Sequence, residues 1–218
     1  MIKKNLLTLK NTISKDVLLV AVSKTKPIED IQNAYETGHR DFGENKVQEL
    51  VEKFDKLPDD ILWHMIGHLQ TNKVKFIAPF IHLIHGVDSL KLLKEINKQA
   101  LKNNRIIQCL LQFHIAQETT KYGLLLEEAI ELINSPEFNQ LKNINISGVM
   151  GMASNTNDET AIAKEFSNLK FIFDHLFTIF INQKSFKWVS MGMSGDYKIA
   201  VKHGSNMIRI GSTIFGKR

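Results

Sequence analysis

Short apolar segments alternate with longer segments of helical periodicity along the chain, and this alternation constrains the fold more than any other feature. Residues 17–22 form a nearly continuous apolar run, which is typical of a strand buried on both faces. Comparable runs recur at about residues 39–42, 61–66, 81–86, 106–113, 145–150, 187–190 and 206–210. Segments of helical spacing lie between most of them, at about residues 27–38, 44–56, 70–78, 89–102, 124–134, 158–182 and 195–203.

Eight strands that alternate with helices imply right-handed crossovers and a parallel sheet, and eight such units match a closed (β/α)8 barrel. An open doubly wound sheet is the structural alternative, but no glycine-rich dinucleotide-binding fingerprint follows the first strand. The 218 residues are few for a barrel and contain no linker or low-complexity segment. We therefore predict an α/β fold in which residues 1–218 form a single (β/α)8 TIM barrel domain.

Composition excludes several other classes of protein. With 43% hydrophobic residues, the chain can build a real core and is not disordered. The single Cys109 lies in an apolar run and is expected to be an inert core residue. The start of the chain lacks the apolar segment of a secretory signal, and the longest apolar segments are interrupted by polar residues. We expect a cytoplasmic protein without a membrane partner.

The net charge of +5 raises the question of a nucleic-acid partner. The lysines are spread along the chain without a dense basic run, which favours a solvated lysine-rich surface over a nucleic-acid site. Only four of the 28 cationic residues are arginines: Arg40, Arg105, Arg209 and Arg218.

A lysine stands at the end of the first predicted strand. Side chains alternate along a strand, so Val20, Val22 and Lys24 share one face, and Lys24 lies where a barrel interior opens. A lysine half-buried among valines is expected to have a lowered pKa, and Lys26 nearby lowers it further; such an amine is a nucleophile toward an aldehyde. The alternative is a lysine that extends to solvent without a chemical role.

The last predicted strand places Arg209 among apolar residues, on the same face as Met207 and Gly211. A buried guanidinium needs an anion or a strong acceptor, from the protein or from a ligand. The following residues 211–213 (Gly-Ser-Thr) offer backbone N–H groups and two hydroxyls, which suits a phosphate at the loops after strands 7 and 8 of a barrel. A structural salt bridge and an ordinary turn are the alternative.

Ser194 follows the seventh predicted strand and is expected to cap a helix that begins near Gly195. That helix terminus would lie beside the Gly-Ser-Thr turn and add to phosphate binding, although a serine that only caps its helix is the alternative. After the second strand, Asn45 can present its amide to a ring or hydroxyl. His64 and His68 have the spacing of helical metal ligands but lie in or just after a strand, so we expect no metal site.

Five segments in chain order resemble one known family, the pyridoxal phosphate homeostasis proteins, in which a barrel related to the N-terminal domain of alanine racemase stands alone. The segments are residues 21–27 (AVSKTKP), 42–45 (FGEN), 63–70 (WHMIGHLQ), 190–194 (SMGMS) with Asp196, and 209–216 (RIGSTIFG). The sequence departs from the family pattern at Lys46 and Gly195, and the segment before the first strand is short.

The resemblance implies a role for each matching residue. Lys24 would hold pyridoxal 5′-phosphate, the vitamin B6 cofactor, as a Schiff base, and Arg209 would face the pyridine nitrogen. The remaining cofactor-binding candidates are Ser194, Gly211 and Ser212 at the phosphate, Asn45 near the ring, and His64 and Met191 in the lining. Lys26 and Lys121 match lysines that assist cofactor exchange.

The expected function is therefore a non-catalytic carrier that stores and buffers pyridoxal phosphate and delivers it to apoenzymes. Arg209 next to the ring nitrogen would disfavour its protonation and so weaken the electron sink that amino-acid chemistry needs. We also expect no second domain that would supply a tyrosine base. A pyridoxal-dependent racemase or related enzyme is the alternative. We expect a monomer whose partners are the cofactor and, transiently, apoenzymes, with no nucleic acid.

Overall fold

A computed structural model of the chain describes residues 1–118, 122–180 and 182–216. Within these residues, eight parallel strands form a barrel that closes between its first and last strands, so the prediction of a closed (β/α)8 barrel is confirmed. The strands are β1 (Leu18–Val22), β2 (Asp41–Glu44), β3 (Leu62–Met65), β4 (Leu83–Val87), β5 (Ile107–Phe113), β6 (Ile144–Gly151), β7 (Trp188–Ser190) and β8 (Met207–Ile210).

Helices follow the strands around the outside of the barrel. They are α1 (Ile2–Thr12), α2 (Ile28–Tyr35), α3 (Val47–Phe54), α4 (Val74–Ile77), α5 (Leu90–Lys102), α6 (Leu126–Asn134), α7 (Glu159–Ile179), α8 (Tyr197–Lys202) and α9 (Ser212–Phe215), with 3-10 turns at Thr71–Lys73 and Phe138–Gln140. The short segment before the first strand forms α1, which was not among the predicted helices. It buries Leu6 and Leu9, and Asn5 Nδ2 donates to the carbonyl of Ile214 at 3.1 Å, which joins α1 to α9.

Side chains alternate between the barrel interior and the helical layer, as the period of a strand requires. In β1, Val20 belongs to an interior cluster, whereas Leu19 and Ala21 pack in the larger core with the helices. The interior cluster consists of Val20, Leu83, Leu110, Met150 and Met207. The barrel is therefore filled by side chains and opens only at its ends.

Two predictions from composition can be compared with the fold. Cys109 is fully buried in β5, and burial raises the pKa of its thiol, so it is an unreactive core residue as predicted. Among the described residues, no helix has both the length and the apolar character that crossing a bilayer requires.

Candidate functional site

A cavity of about 510 Å³ lies at the ends of the strands where they lead into the following helices. Residues of β1, β5 and β8 line it together with residues of the segments that follow β1, β2, β3, β5, β6, β7 and β8. Seven of the residues that the sequence singled out meet in this cavity: Lys24, Lys26, Asn45, Ser194, Arg209, Gly211 and Ser212. The loops that carry these residues therefore converge at one end of the barrel, as predicted.

Lys24 lies two residues beyond β1 and is half-buried at the cavity wall beside Val22. The alternation that begins at Val20 in the barrel interior thus continues to Lys24, as predicted. The next residue, Thr25, has a φ of 65°, which turns the chain sharply away from the strand direction. Lys26 then donates from Nζ to the carbonyls of Phe215 and Gly216, at 3.2 Å each, so it links this loop to the end of α9.

A buried ionic cluster fixes the backbone on both sides of Lys24. Lys53 of α3, which is 5% exposed, donates from Nζ to the Ser23 carbonyl at 2.8 Å, to Glu44 Oε1 at 2.7 Å and to Glu49 Oε1 at 2.6 Å. Glu49 Oε1 also accepts the Thr25 N–H at 2.5 Å.

Glu44, the last residue of β2, is the fully buried member of this cluster. Its Oε1 also accepts the Ser23 hydroxyl at 2.5 Å, and Oε2 has no hydrogen-bond partner among the described residues. Burial raises the pKa of the Glu44 carboxyl, while Lys53 and Ser23 oppose that rise. The cluster lies outside the cavity, and its hydrogen bonds to the Ser23 carbonyl and the Thr25 N–H hold the loop that carries Lys24.

Arg209 is a further cationic residue of the cavity and is only 4% exposed. Its Nη1 donates to the Ser190 carbonyl at 2.8 Å and to Ser190 Oγ at 2.6 Å, and its Nη2 donates to the Gly151 carbonyl at 3.0 Å. Burial lowers its pKa to about 10, so the guanidinium remains cationic at neutral pH. The strong acceptors that its burial requires are thus two carbonyls and a hydroxyl.

The loops after β7 and β8 meet at one side of the cavity. Ser194 Oγ accepts the N–H of Thr213 at 3.5 Å. The preceding residue, Ser212, is exposed and carries a second hydroxyl. Gly211 fits closely against β1: a Cβ at this position would lie 3.2 Å from the carbonyl oxygen of Val22. Residues 211–213 form the start of α9 instead of the predicted turn.

The predicted helix cap at Ser194 is wrong. α8 begins at Tyr197, and Asp196 occupies its N-cap position without a side-chain cap bond. Asp196 Oδ1 instead accepts the N–H of Met193 at 2.5 Å, which closes a turn before the helix starts. Ser194 is therefore left to face the neighbouring α9.

Two predicted lining residues do not lie at the cavity. His64 and Met191 are both fully buried, and neither belongs to the cavity wall. His64 points into the barrel one layer below it: Ile66, two residues further along the chain, does line the cavity. Met191 packs in the outer core with the helices, because it follows the inward-facing Ser190. Alternation along the strand gives the face of a residue but not its depth.

Several other residues line the cavity, although the sequence predicted no role for them. The ring of Tyr122 stacks on His68 with 4.3 Å between centroids, and this pair forms part of the rim. Gln112 lines the wall and donates from Nε2 to the Tyr122 carbonyl at 2.9 Å. Gln108 and Gln112 interrupt the apolar run of β5, and this was the available signal in the sequence. Lys121, predicted to assist cofactor exchange, lies outside the described residues.

Comparisons with known proteins agree with this geometry. The whole chain, residues 1–218, matches the family described as alanine racemase, N-terminal domain. A pyridoxal phosphate homeostasis protein of Aquifex aeolicus is 36% identical over 201 residues, which cover 92% of this chain and 86% of the relative.

Solved structures of PipY from Synechococcus elongatus are similar throughout. The structure without PLP (pyridoxal phosphate) superposes with a TM-score of 0.91, and the structure with PLP bound superposes with a TM-score of 0.88. Each is 32% identical and covers 99% of this chain and 100% of the solved chain. The chain therefore belongs to the family of the alanine racemase N-terminal domain.

Proposed function

We propose that this chain binds pyridoxal 5′-phosphate in the cavity at the ends of its strands and serves the homeostasis of that cofactor inside the cell. The observation that carries the proposal is the convergence of an amine, Lys24, a buried guanidinium, Arg209, and the hydroxyl-bearing start of α9 in one cavity. These groups fit the three chemical features of the cofactor, which are an aldehyde, a pyridine ring and a phosphate. The Aquifex aeolicus relative carries this function in its name.

Lys24 is the residue that would hold the cofactor covalently. The cofactor supplies an electrophilic aldehyde carbon, with which Lys24 Nζ condenses to a C=N bond as one molecule of water leaves. The fixed backbone on either side of Lys24, at the Ser23 carbonyl and the Thr25 N–H, limits the positions that its side chain can reach. This orients the amine toward the cavity before any ligand enters.

The phosphate would be held where the loops after β7 and β8 meet. The hydroxyls of Ser194 and Ser212 and the backbone around Gly211 supply donors there, and the absence of a side chain at Gly211 leaves room beside β1. Asn45, which is half-buried at the opposite wall, would present its amide to the ring.

Arg209 supports a carrier over an enzyme. A guanidinium that stays cationic opposes a second positive charge next to it, so a pyridine nitrogen facing Arg209 would remain unprotonated. An unprotonated ring withdraws electrons weakly and gives little stabilisation to a carbanion. We infer a monomeric, cytoplasmic and non-catalytic protein that stores the cofactor and delivers it to apoenzymes, with Lys26 assisting its release.

Borohydride reduction followed by peptide mapping tests the covalent site. Purified protein is incubated with pyridoxal phosphate, reduced and digested, and the adduct is expected on Lys24 and absent in Lys24→Ala. Lys26→Ala is the matched control, because that lysine lies on the same loop and should leave the Lys24 adduct in place. An adduct mainly on another lysine, or none at all, would rule out the proposed site.

Amino-acid racemisation is the second candidate, and one observation favours it: Tyr122, a residue type that can transfer protons, lines the same cavity as Lys24. Exchange of the α-hydrogen of alanine for deuterium distinguishes the two functions. A carrier should exchange it no faster than free cofactor does. Exchange well above that rate, abolished in Lys24→Ala and reduced in Tyr122→Phe, would establish the enzyme instead.

A further inference from the structure

A continuous chain of hydrogen bonds runs through the interior of the barrel and ends at Arg209. Arg209 Nη1 and Ser190 Oγ are 2.6 Å apart, and Ser190 Oγ lies 3.0 Å from His85 Nδ1. His85 Nε2 lies 2.9 Å from His64 Nδ1, and His64 Nε2 lies 3.2 Å from Asp41 Oδ1. Each link joins side chains from a different strand, in the order β8, β7, β4, β3 and β2.

The two ends of this chain open at opposite ends of the barrel. Arg209 lines the cavity assigned above to the cofactor. Asp41, whose side chain is 16% exposed, lines a second surface pocket that Lys10, Arg40 and Trp188 also border. Between them, His64, His85 and Ser190 are fully buried. The chain therefore forms a continuous polar path through the barrel interior, past the apolar cluster of Val20, Leu83, Leu110, Met150 and Met207.

The direction of each bond follows from the chemistry of its ends and from the acceptors within reach. A guanidinium can only donate, so Ser190 Oγ accepts from Arg209, and His85 Nδ1 is the acceptor within reach of the Ser190 hydrogen among the described residues. An ionised carboxylate can only accept, so His64 Nε2 donates to Asp41. Both assignments are consistent with the central bond between the two histidines, in which His85 Nε2–H donates to His64 Nδ1.

Both imidazoles must then be neutral, with the proton on Nε2. A proton on His64 Nδ1 would face the Nε2–H of His85 across 2.9 Å, and a second proton on His85 would face the Ser190 hydrogen. Burial lowers the pKa of His85 well below its usual value, which agrees with a neutral ring. Although burial alone would raise the pKa of Asp41, the hydrogen bond from His64 holds it below its usual value.

We propose that Asp41, His64, His85 and Ser190 form a positioning relay for Arg209, which orients its guanidinium toward the cavity and links it to a distant counter-charge. The significance of this orientation for the cofactor rests on the proposed function. The relay gives His64 a place in the site different from the lining role that the sequence predicted: it acts on the cavity through Arg209. It also makes the cavity sensitive to a change at the opposite end of the barrel.

Nitrogen-15 NMR of histidine-labelled protein without cofactor tests the relay directly. The ring signals are assigned by comparison with His64→Gln and His85→Gln, and both rings are expected to be neutral and protonated on Nε2 at pH 7. A ring protonated on Nδ1, alone or together with Nε2, would overturn the relay. This measurement does not depend on whether the protein binds pyridoxal phosphate.

Titration with pyridoxal phosphate tests the effect on the cavity. In Asp41→Asn the counter-charge is lost, and His64 faces a neutral amide instead of a carboxylate. We expect about tenfold weaker binding, the value of one hydrogen bond to a charged group, and an altered absorption band of the bound cofactor. Ser190→Ala, which removes the link at Arg209 itself, should act in the same direction.

Asp16→Asn is the matched control, because Asp16 is an exposed carboxylate of the same pocket and lies outside the relay. It should leave affinity and absorption within twofold of the parent. Equal effects of Asp41→Asn and Asp16→Asn would contradict the relay. So would unchanged binding in Asp41→Asn or unchanged binding in Ser190→Ala. Failure of the parent to bind the cofactor would refute the proposed function and leave the NMR test of the relay intact.

Discussion

Replacing Lys53 with methionine should destabilise the protein more than any exposed lysine substitution. Methionine keeps the length of the side chain but removes three charge-assisted hydrogen bonds, to the Ser23 carbonyl, Glu44 and Glu49. It also leaves the fully buried Glu44 without its cation. Removing one partner of a buried ion pair costs about 3 to 5 kcal/mol, and protonation of Glu44 limits the loss here to about 3 kcal/mol.

Urea unfolding at pH 7 measures this loss, and thermal unfolding should show it as a decrease of about 6 to 12 °C. Lys56→Met is the matched control: Lys56 is exposed on the same side of the barrel, so its loss should stay within about 0.5 kcal/mol. The double variant Lys53→Met, Glu44→Gln should lose less than the sum of the two single variants, because no buried charge remains. A Lys53→Met loss equal to that of Lys56→Met, or strict additivity in the double variant, would refute this reasoning.

The loss in Lys53→Met should also depend on pH. The pKa of Glu44 is already raised by burial, and without Lys53 nearby it rises further. A carboxyl with a raised pKa in the folded state binds more protons there than in the unfolded chain, so stability falls as the pH rises through that pKa. The variant should therefore be closer to its parent at pH 5 than at pH 8.

Three further predictions concern other parts of the molecule. Ser212→Glu should weaken pyridoxal phosphate binding at least tenfold by repulsion, and pyridoxal, which lacks the phosphate, should lose much less in the same titration. Gly67→Ala should lower the melting temperature, because its Cβ would lie 2.5 Å from the backbone oxygen of Asn45. Burial lowers the pKa of His39 from 6.5 to about 4, so the unfolded chain binds more protons between these values and stability should fall by about 3 kcal/mol from pH 6.5 to 4. His39→Asn should reduce that fall in urea titrations, whereas His175→Asn, at an exposed site, should not.

The strands and the positions of Lys24 and Arg209 could be predicted from the sequence because both follow from the period of a strand. Continuous apolar runs mark strands that are buried on both faces, and their order fixed the barrel. Once Val20 is assigned to the interior, Val22 and Lys24 must share its face, and the structure confirms this.

Short helices, and the depth of a residue within the barrel, were harder to predict from the sequence. α9 has four residues, between Gly211 and Gly216, so it is too short to show a helical period, and its glycines indicate a turn equally well. The start of α8 was placed too early because Ser194 is a residue type that favours the N-cap position, whereas the helix begins at Tyr197. The family resemblance implied that His64 lines the cavity, but it lies one layer deeper in the barrel, and strand alternation carries no information about depth.

Side-chain contacts between different elements could not be predicted from a single sequence. Lys53 reaches Glu44 across nine residues, from a helix to the strand before it, and His85 reaches Ser190 across 105 residues. Both contacts depend on the curvature that brings strand ends and interior side chains together. A single buried histidine or glutamate in a strand indicates that a partner exists but does not identify it.

Among the described residues, three cationic residues line one small cavity, so binding an anion there should stabilise the fold. Lys24, Lys26 and Arg209 share a cavity of about 510 Å³, and hydrogen bonds to neighbouring carbonyls keep Arg209 from turning away. A phosphate that binds only the folded chain raises the free energy of unfolding by about 2.7 kcal/mol at a concentration 100 times its dissociation constant. Pyridoxal phosphate should therefore raise the melting temperature more than pyridoxal at equal concentration. The difference should shrink in Ser212→Glu and persist in Lys24→Ala, because the phosphate contacts do not require the covalent bond. If Lys24→Ala removed the difference as completely as Ser212→Glu, the lysine would be the main anion contact and the phosphate site would have to be reassigned.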